Sequence, residues 1–324
     1  MTLPGLRAAV DTLSPEVRHA AGVHFGWWDA AGTPREVPAG KMIRPALVLA
    51  CAHATGAGTA QAVPAAVAVE LAHNASLLHD DVIDHDATRR GRPTLWVELG
   101  TPAAILTGDA LFFLAVQTLT RAGGPLAERG GPDLIHTIQR LIGGEYVDTL
   151  LEGAVAPRLS VVEEMAGAKT GALIARACAL GALAGGAPES VVEDLAAFGT
   201  HLGAAFQLVD DVLGIWGEER LTGKPAHSDL RSRKKSLPVT AALTADHPAA
   251  RALDALYRRA EPFGTAELPG IAALIAEAGG RTWAEARAAH HIAEAHRHLA
   301  AARPSPRAER VLTALADLVT HRNH

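Results

Sequence analysis

Asp80 and Asp84 stand four residues apart in "LLHDDVIDHDATRRGRPTLW" (77–96), with Asp81 between them and Arg89, Arg90 and Arg92 close behind. Four residues are about one helical turn, so Asp80 and Asp84 share a face. Like charges at that spacing repel, and something must offset the cost. A solvated acidic face fits poorly, because Leu77, Leu78, Val82 and Ile83 leave only a narrow polar stripe. Two readings remain: ion pairs to Arg89 and Arg90, or a divalent cation. Paired carboxylates on a rigid helix suit Mg²⁺, a hard ion that keeps several waters and completes its shell with phosphate oxygens. Zinc is disfavoured here, since His79 and His85 are six apart and no Cys or His completes a set around them.

"FQLVDDVLGIWGEERLTGKPAHSDLRSRKKSLP" (206–238) repeats the theme. Gln207 and Asp211 are four apart, Asp210 lies beside Asp211, and a basic loop comes after them. Two such helices facing a common cavity would hold several Mg²⁺ ions. Several Mg²⁺ ions imply a highly charged ligand, most simply a diphosphate. The arginines would then bind the same anion from its other side.

The elements that must position these groups read as helices. Segments of about 15 to 25 residues carry apolar residues at intervals of three and four, and no period-two strand of useful length appears. Gly and Pro mark the joints: 30–41, 54–64 with Pro64 at a helix start, 89–102, 121–133, 151–160, 181–190 and 217–238. Hydrophobic residues make up 48% of the 324 and aromatics only 4%, with Ala and Leu dominant, which favours helix over strand. The expectation is one all-α domain over 1–324, a bundle of about ten or more helices around a central cavity.

A net charge of −5 argues against nucleic acid as the main partner. Cys51 and Cys178, in Ala/Leu-rich surroundings, read as buried reduced thiols rather than a disulfide or metal site. The N-terminal residues lack a basic stretch leading into an apolar run, so no signal peptide is expected. No run of about 18 uncharged apolar residues appears, so no membrane span is expected and the chain reads as cytoplasmic.

The motifs together resemble those of trans-prenyl diphosphate synthases of the geranylgeranyl diphosphate synthase type. The 77–96 stretch is similar to their first aspartate-rich motif, DDxxD and then an arginine pair. "FQLVDDVLG", "GKPAHSDL" and "RKKSLP" are similar to the second motif and the lysine-bearing loop after it. "GKMIRP" (40–45), "GAKTGAL" (167–173), "GEYVDTL" (144–150) and "GDALFF" (108–113) also fit, in the family's order, over about residues 38 to 240.

That resemblance implies the isoprenoid synthase fold, a homodimer, and joining of isopentenyl diphosphate to an allylic diphosphate. Asp80, Asp84 and Asp210 would hold Mg²⁺, three ions with substrate bound, with Asp81 and Asp211 beside them. Arg89, Lys169, Thr170 and Lys224 would grip the allylic diphosphate, and Lys234 would close over it. Lys41, Arg44, His73 and Arg90 would bind isopentenyl diphosphate, and Gln207 would face the allylic cation. Ala75 and Ser76, one turn before Asp80, are small where short-chain members often carry an aromatic. The tail would therefore pass them and stop at Phe112 or Phe113, or at Leu71 and Ala72 one turn deeper, giving a C20 product or longer.

One departure concerns Gly214, which stands where a third aspartate is common. Glu218 is eight residues past Asp210, about 12 Å along a helix, and cannot simply replace it. A second is Met42, at a position often basic. Two rival functions share the motifs: a class I terpene cyclase, which needs no second diphosphate site, and a low-activity partner subunit of a heteromeric synthase, which should lose its aspartates or arginines. Lys41, Arg44, His73 and Arg90 together favour two diphosphate substrates.

Overall fold

The structure, a computed structural model, describes residues 2–35, 40, 42–154, 157–218 and 226–320. Strands among the described residues are limited to one antiparallel hairpin, β1 (Thr88–Arg89) against β2 (Arg92–Pro93). Everything else regular is helical, as the spacing predicts. The chain forms two compact units. The first is Met1–Gln139, Leu173–Ala196 and Leu299–Leu315; the second is Arg140–Ala172, Ala197–His298 and Ala316–His324.

In the first unit α1 (Thr2–Val10), α2 (Pro15–Phe25) and α3 (Ile43–Ala54) precede the long α4 (Thr59–Ile83). After the hairpin come α5 (Leu95–Leu99), α6 (Thr101–Thr120) and the start of α7 (Gly131–Gly153). α4 packs against α6, α3 and α1. Its residues Ala65, Ala66, Ala68, Leu71, Ala72 and Ala75 are wholly buried, so it is a central helix rather than an amphipathic surface one. Its start is earlier than expected. Gln61 Oε1 accepts the Gly58 amide at 2.8 Å and fixes the first turn, leaving Pro64 inside the helix. Pro64 cannot bond the Ala60 carbonyl, a cost that stays local near a helix start.

The 89–102 connection also holds more structure than expected, a hairpin and α5. Arg90 and Gly91 turn the hairpin at φ of 52° and 72°. Cys51 on α3 and Cys178 on α9 (Ala172–Ala184) are buried and free. A hydrogen bond to Cys178, reinforced by burial, raises the Cys51 thiol well above the usual range, so it stays protonated. α6 is long and apolar enough to cross a membrane by length and composition alone, although Asp109 interrupts its apolar run. Its Leu111, Phe112, Leu114, Ala115 and Leu119 are nevertheless buried in the unit, where α6 packs along α4.

The second unit takes the rest of α7, α8 (Leu159–Ala166), most of α10 (Glu189–Trp216), α11 (Ser228–Arg231), α12 (Leu237–Leu243), α13 (Pro248–Tyr257), α14 (Leu268–Glu277) and most of α15 (Gly280–Ala301). α16 (Pro306–Thr320) closes the described chain. One core gathers Ile215, Leu230, Val239, Leu253, Phe263 and Ile275. A second gathers Val162, Met165, Leu208, Leu237 and Ala288. Between α8 and α9 the chain makes a π-helical turn, Gly167–Gly171. Backbones approach closely around it. A Cβ at Gly144 would come 2.6 Å from the Lys169 amide nitrogen, and one at Gly203 would come 2.7 Å from the Gly171 Cα. Only glycine allows α7 and α10 to pass this near the turn.

Candidate functional site

In the first unit, the C-terminal end of α4 carries the first aspartates. Asp80 is half-buried, Asp84 caps the helix and is exposed, and Asp81 is 1% exposed. Asp81 Oδ1 accepts from Arg89 Nε at 2.5 Å. Burial pushes the Asp81 carboxyl up and Arg89 pulls against it. The ion-pair reading is met at Asp81. Asp81 is in an ion pair, while Asp80 and Asp84 present hard oxygen donors one turn apart, a donor set that fits Mg²⁺.

The hairpin turns Arg89, Arg90 and Arg92 into a cavity of about 970 Å³. Its lining includes Arg7, Arg35, Arg89, Arg90 and Arg92 against the carboxyls of Glu70 and Asp81, so it is built for an anion. His24, also in its wall, is depressed to about 4, by burial first and then by the neighbouring arginines, against its Asn74 hydrogen bond. It adds no charge at neutral pH. Asn74 Oδ1 accepts from His24 Nε2 at 3.1 Å, and Asn74 Nδ2 donates to Glu70 Oε1 at 2.9 Å. Phe25 and Trp27 stack at 4.8 Å on the same wall.

The 40–45 motif reaches this region. A Cβ on Gly40 would come 2.5 Å from Arg90 Nη1. Met42, at φ 48°, starts α3, which carries Arg44. His73 on α4 is held well below the usual imidazole range by burial, then by the fields of Arg44, Arg90 and Arg89. Arg44, His73, Arg89 and Arg90 are therefore one electrostatic group. Lys41 and Lys224 lie outside the described residues. Ala75 is wholly buried and Ser76 nearly so. Phe112 is buried edge-on to His79 at 5.7 Å, whereas Phe113 is 77% exposed.

In the second unit, Asp148, Lys169, Thr170, Gln207, Asp211, Lys234 and Ser236 line one small cavity. The π turn presents both Lys169 and Thr170 to it. Thr170 Oγ1 donates to Gln207 Oε1 at 2.7 Å, and Gln207 Nε2 donates to Asp211 Oδ1 at 2.7 Å. The Leu237 amide donates to Asp211 Oδ2 at 2.9 Å. Asp211 is thus buried with each oxygen accepting a hydrogen bond, and it positions Gln207. Burial raises it to about 6, opposed first by Lys234. Asp210, its half-buried neighbour on α10, is the more open carboxylate.

Lys169 Nζ lies 2.7 Å from both Glu145 Oε2 and Asp148 Oδ2. Burial opposes the ammonium, but Asp148 and Glu145 outweigh it and raise its pKa. The sequence alone suggests a phosphate partner to explain the burial of Lys169; the protein supplies carboxylates itself. These two acids sit three apart in "GEYVDTL", a spacing that marks one helix face.

The basic run 231–235 is not a solvated patch. Arg233 donates to the Tyr257 and Glu261 carbonyls at 2.6 and 2.9 Å, and Lys235 donates to the Glu152 carbonyl at 2.7 Å. Tyr257 and Glu152 lie at the C-terminal ends of α13 and α7, where cations are favoured. Lys234 between them faces the cavity, where burial works against its charge but Asp211, Asp229 and Asp148 raise its pKa.

A family model described as polyprenyl synthetase matches residues 34–270. The chain is 45% identical over 294 residues to the (2E,6E)-farnesyl diphosphate synthase of Mycobacterium tuberculosis, covering 90% of this chain and 82% of that protein. It is 42% identical over 320 residues to a geranylgeranyl diphosphate synthase of the same organism, covering 98% and 90%. The crystal structure of a polyprenyl synthetase from Streptomyces coelicolor matches with a TM-score of 0.94 at 45% identity, over 98% of this chain and 96% of that one.

Proposed function

Because the chain belongs to the polyprenyl synthetase family of trans-prenyltransferases, we propose that it joins isopentenyl diphosphate to an allylic diphosphate, with Mg²⁺, and releases mainly a C20 product. The observation that carries this reading is the pairing of opposite roles on one α4 end. Arg89 is fixed by Asp81, while Asp80 and Asp84 offer oxygens one turn apart.

Asp80, Asp84 and Asp210 would hold the metal ions. Bound Mg²⁺ neutralises the charge that builds on a departing diphosphate. Arg44, His73 and Arg90 bind and orient isopentenyl diphosphate. Lys169, Thr170 and Lys234 hold the allylic diphosphate, with Arg89. Gln207, oriented by Thr170 and Asp211, turns an amide dipole toward the reacting allyl group. Lys41 and Lys224 complete the two sets in this reading.

Ala75 and Ser76 leave α4 narrow one turn before Asp80, which supports elongation past C15, with Phe112 as the floor. The farnesyl synthase among the relatives makes chain length the measurement to take first. We also place residues 1–324 in a single domain, working in the cytoplasm as a homodimer. Leu106 and Phe113, seven apart on α6 and 62% and 77% exposed, support an apolar face for a second copy.

The test is incubation with isopentenyl diphosphate, an allylic diphosphate and Mg²⁺, read by mass spectrometry. A longer prenyl diphosphate is expected, and none without Mg²⁺. A hydrocarbon product, or no consumption of isopentenyl diphosphate, overturns the proposal. Sedimentation of wild type against Phe113→Glu tests the dimer.

A further inference from the structure

Within the second unit, the face of α10 that meets α15 carries a histidine cluster with no part in the chemistry above. His201 lies on α10, and Glu294 and His298 lie one turn apart on α15. Each offers a ligand atom, and the three atoms lie within 4.8 Å of one another. All three residues are half-buried, so the group is neither in open solvent nor sealed in a core.

Two further contacts define the donor atoms. His201 Nδ1 is 2.9 Å from His291 Nδ1. With His201 as donor, its Nε2 keeps the lone pair, and His291 fixes the ring's tautomer. Metal-binding histidines are typically held in this way through the second ring nitrogen. On the other side, Arg297 Nη2 donates to Glu294 Oε2 at 2.8 Å and to His298 Nε2 at 2.8 Å. A positive group thus already bridges two of the three acceptors. The guanidinium stands where a cation would bind.

We propose that His201, Glu294 and His298 bind a divalent ion of the Zn²⁺ class, with water as the fourth ligand. Two imidazoles and one carboxylate suit Zn²⁺ or Co²⁺ rather than Mg²⁺, which prefers oxygen throughout. Drawing the donors from within 4.8 Å to the roughly 3.3 Å edges of a tetrahedron with bonds of about 2.0–2.1 Å closes each gap by about 1.5 Å at most. Arg297, exposed on α15, swings away as the ion enters.

The site is separate from the carboxylates of the second aspartate motif. His201 precedes Asp210 on the same helix by nine residues, about 13 Å of axis. The ion's effect is to clamp the helix that carries Gln207, Asp210 and Asp211 onto α15.

The experiment uses the full chain, stripped with chelator and then titrated with Co²⁺ in excess Mg²⁺, which occupies the all-oxygen sites. One equivalent of Co²⁺ should give the intense visible bands of four-coordinate nitrogen and oxygen ligation, and Zn²⁺ should abolish them. Zn²⁺ should also raise the melting temperature of the wild-type chain. His201→Ala and His298→Ala should each weaken Co²⁺ binding at least about 10-fold. Arg297→Met, at an exposed position, should strengthen it several-fold. Weak six-coordinate bands only, or histidine variants that titrate like wild type, overturn the site. Arg297→Met binding that is unchanged or weaker overturns the role given to the arginine and the site with it.

Discussion

The Asp229 carboxylate occupies the space a side chain at residue 214 would take. A Cβ at Gly214 would come 2.5 Å from its carboxyl carbon and from both oxygens. The segment before α11 is pinned there, since His227 Nδ1 meets the Ile215 carbonyl at 2.6 Å. A carboxylate from further along the chain thus lies against the position where the second motif lacks its third aspartate. Glycine at 214 is what makes room for it.

We expect Asp229→Ala to lower turnover by about 10²-fold, comparable to loss of one strong electrostatic group, and to raise the Mg²⁺ concentration needed. Gly214→Asp should also lose activity and stability, because two carboxylates would compete for one space. Gly214→Asp with Asp229→Gly should recover activity relative to either single change. Steady-state rates against Mg²⁺ concentration measure all three. A double variant no better than the worse single one would show that Asp229 is not a replacement.

Asp80→Ala and Asp84→Ala should each reduce turnover by about 10²-fold or more, since charge on the leaving diphosphate would go unneutralised. Asp81→Ala should instead act through Arg89, which loses its anchor. Its Michaelis constant for the allylic diphosphate should rise more than its turnover falls. Substrate titrations of the three variants separate the two patterns.

Asp211 predicts a pH dependence of stability. Its ordinary value is 3.8 and burial raises it to about 6 in the folded chain. Between those values the native protein holds a proton that the unfolded chain has released. Stability from this group is therefore full below about pH 4 and is lost as pH rises through 6, by about 3 kcal/mol. Asp211→Asn lacks that slope. The melting temperature of the variant relative to wild type should climb between pH 4 and 6.5 and stay level above 7. A difference that is flat across that range would refute the assignment.

Ala75→Phe or Ser76→Phe should shorten the product ladder by about one isoprene unit, since one helical turn of about 5.4 Å is roughly one extended unit. Mass spectrometry of wild type against variant decides it. A wild-type ladder already ending at C15 would place the floor above Phe112.

The helical fold and most of the candidate site were legible because side-chain type and spacing carry them. Asp80 and Asp84 announce a shared face, and Arg89 and Arg90 announce an anion. What stayed hidden depends on contacts between segments far apart in the chain. Nothing local to Lys169 reveals Glu145 and Asp148, and nothing local to Gly214 reveals Asp229. His201 is invisible as a partner of Glu294 and His298 until α10 and α15 are side by side. Pro64 misled for a different reason: a Gln61 side chain capping Gly58 opened α4 five residues early, and the proline was tolerated.

The π turn at Gly167–Gly171 matters for counting residues. It contains one residue more than an α-helix would need for the same turn. Removing one would restore the ordinary pitch but rotate the later residues by about 100°. Residues beyond the deletion would leave the faces on which they now meet their partners. A one-residue difference in length between this chain and a relative can therefore fall inside a continuous rod, with no loop to betray it. An alignment that moves such a gap to the nearest loop would shift Lys169 and Thr170 by one place and pair each with the wrong residue.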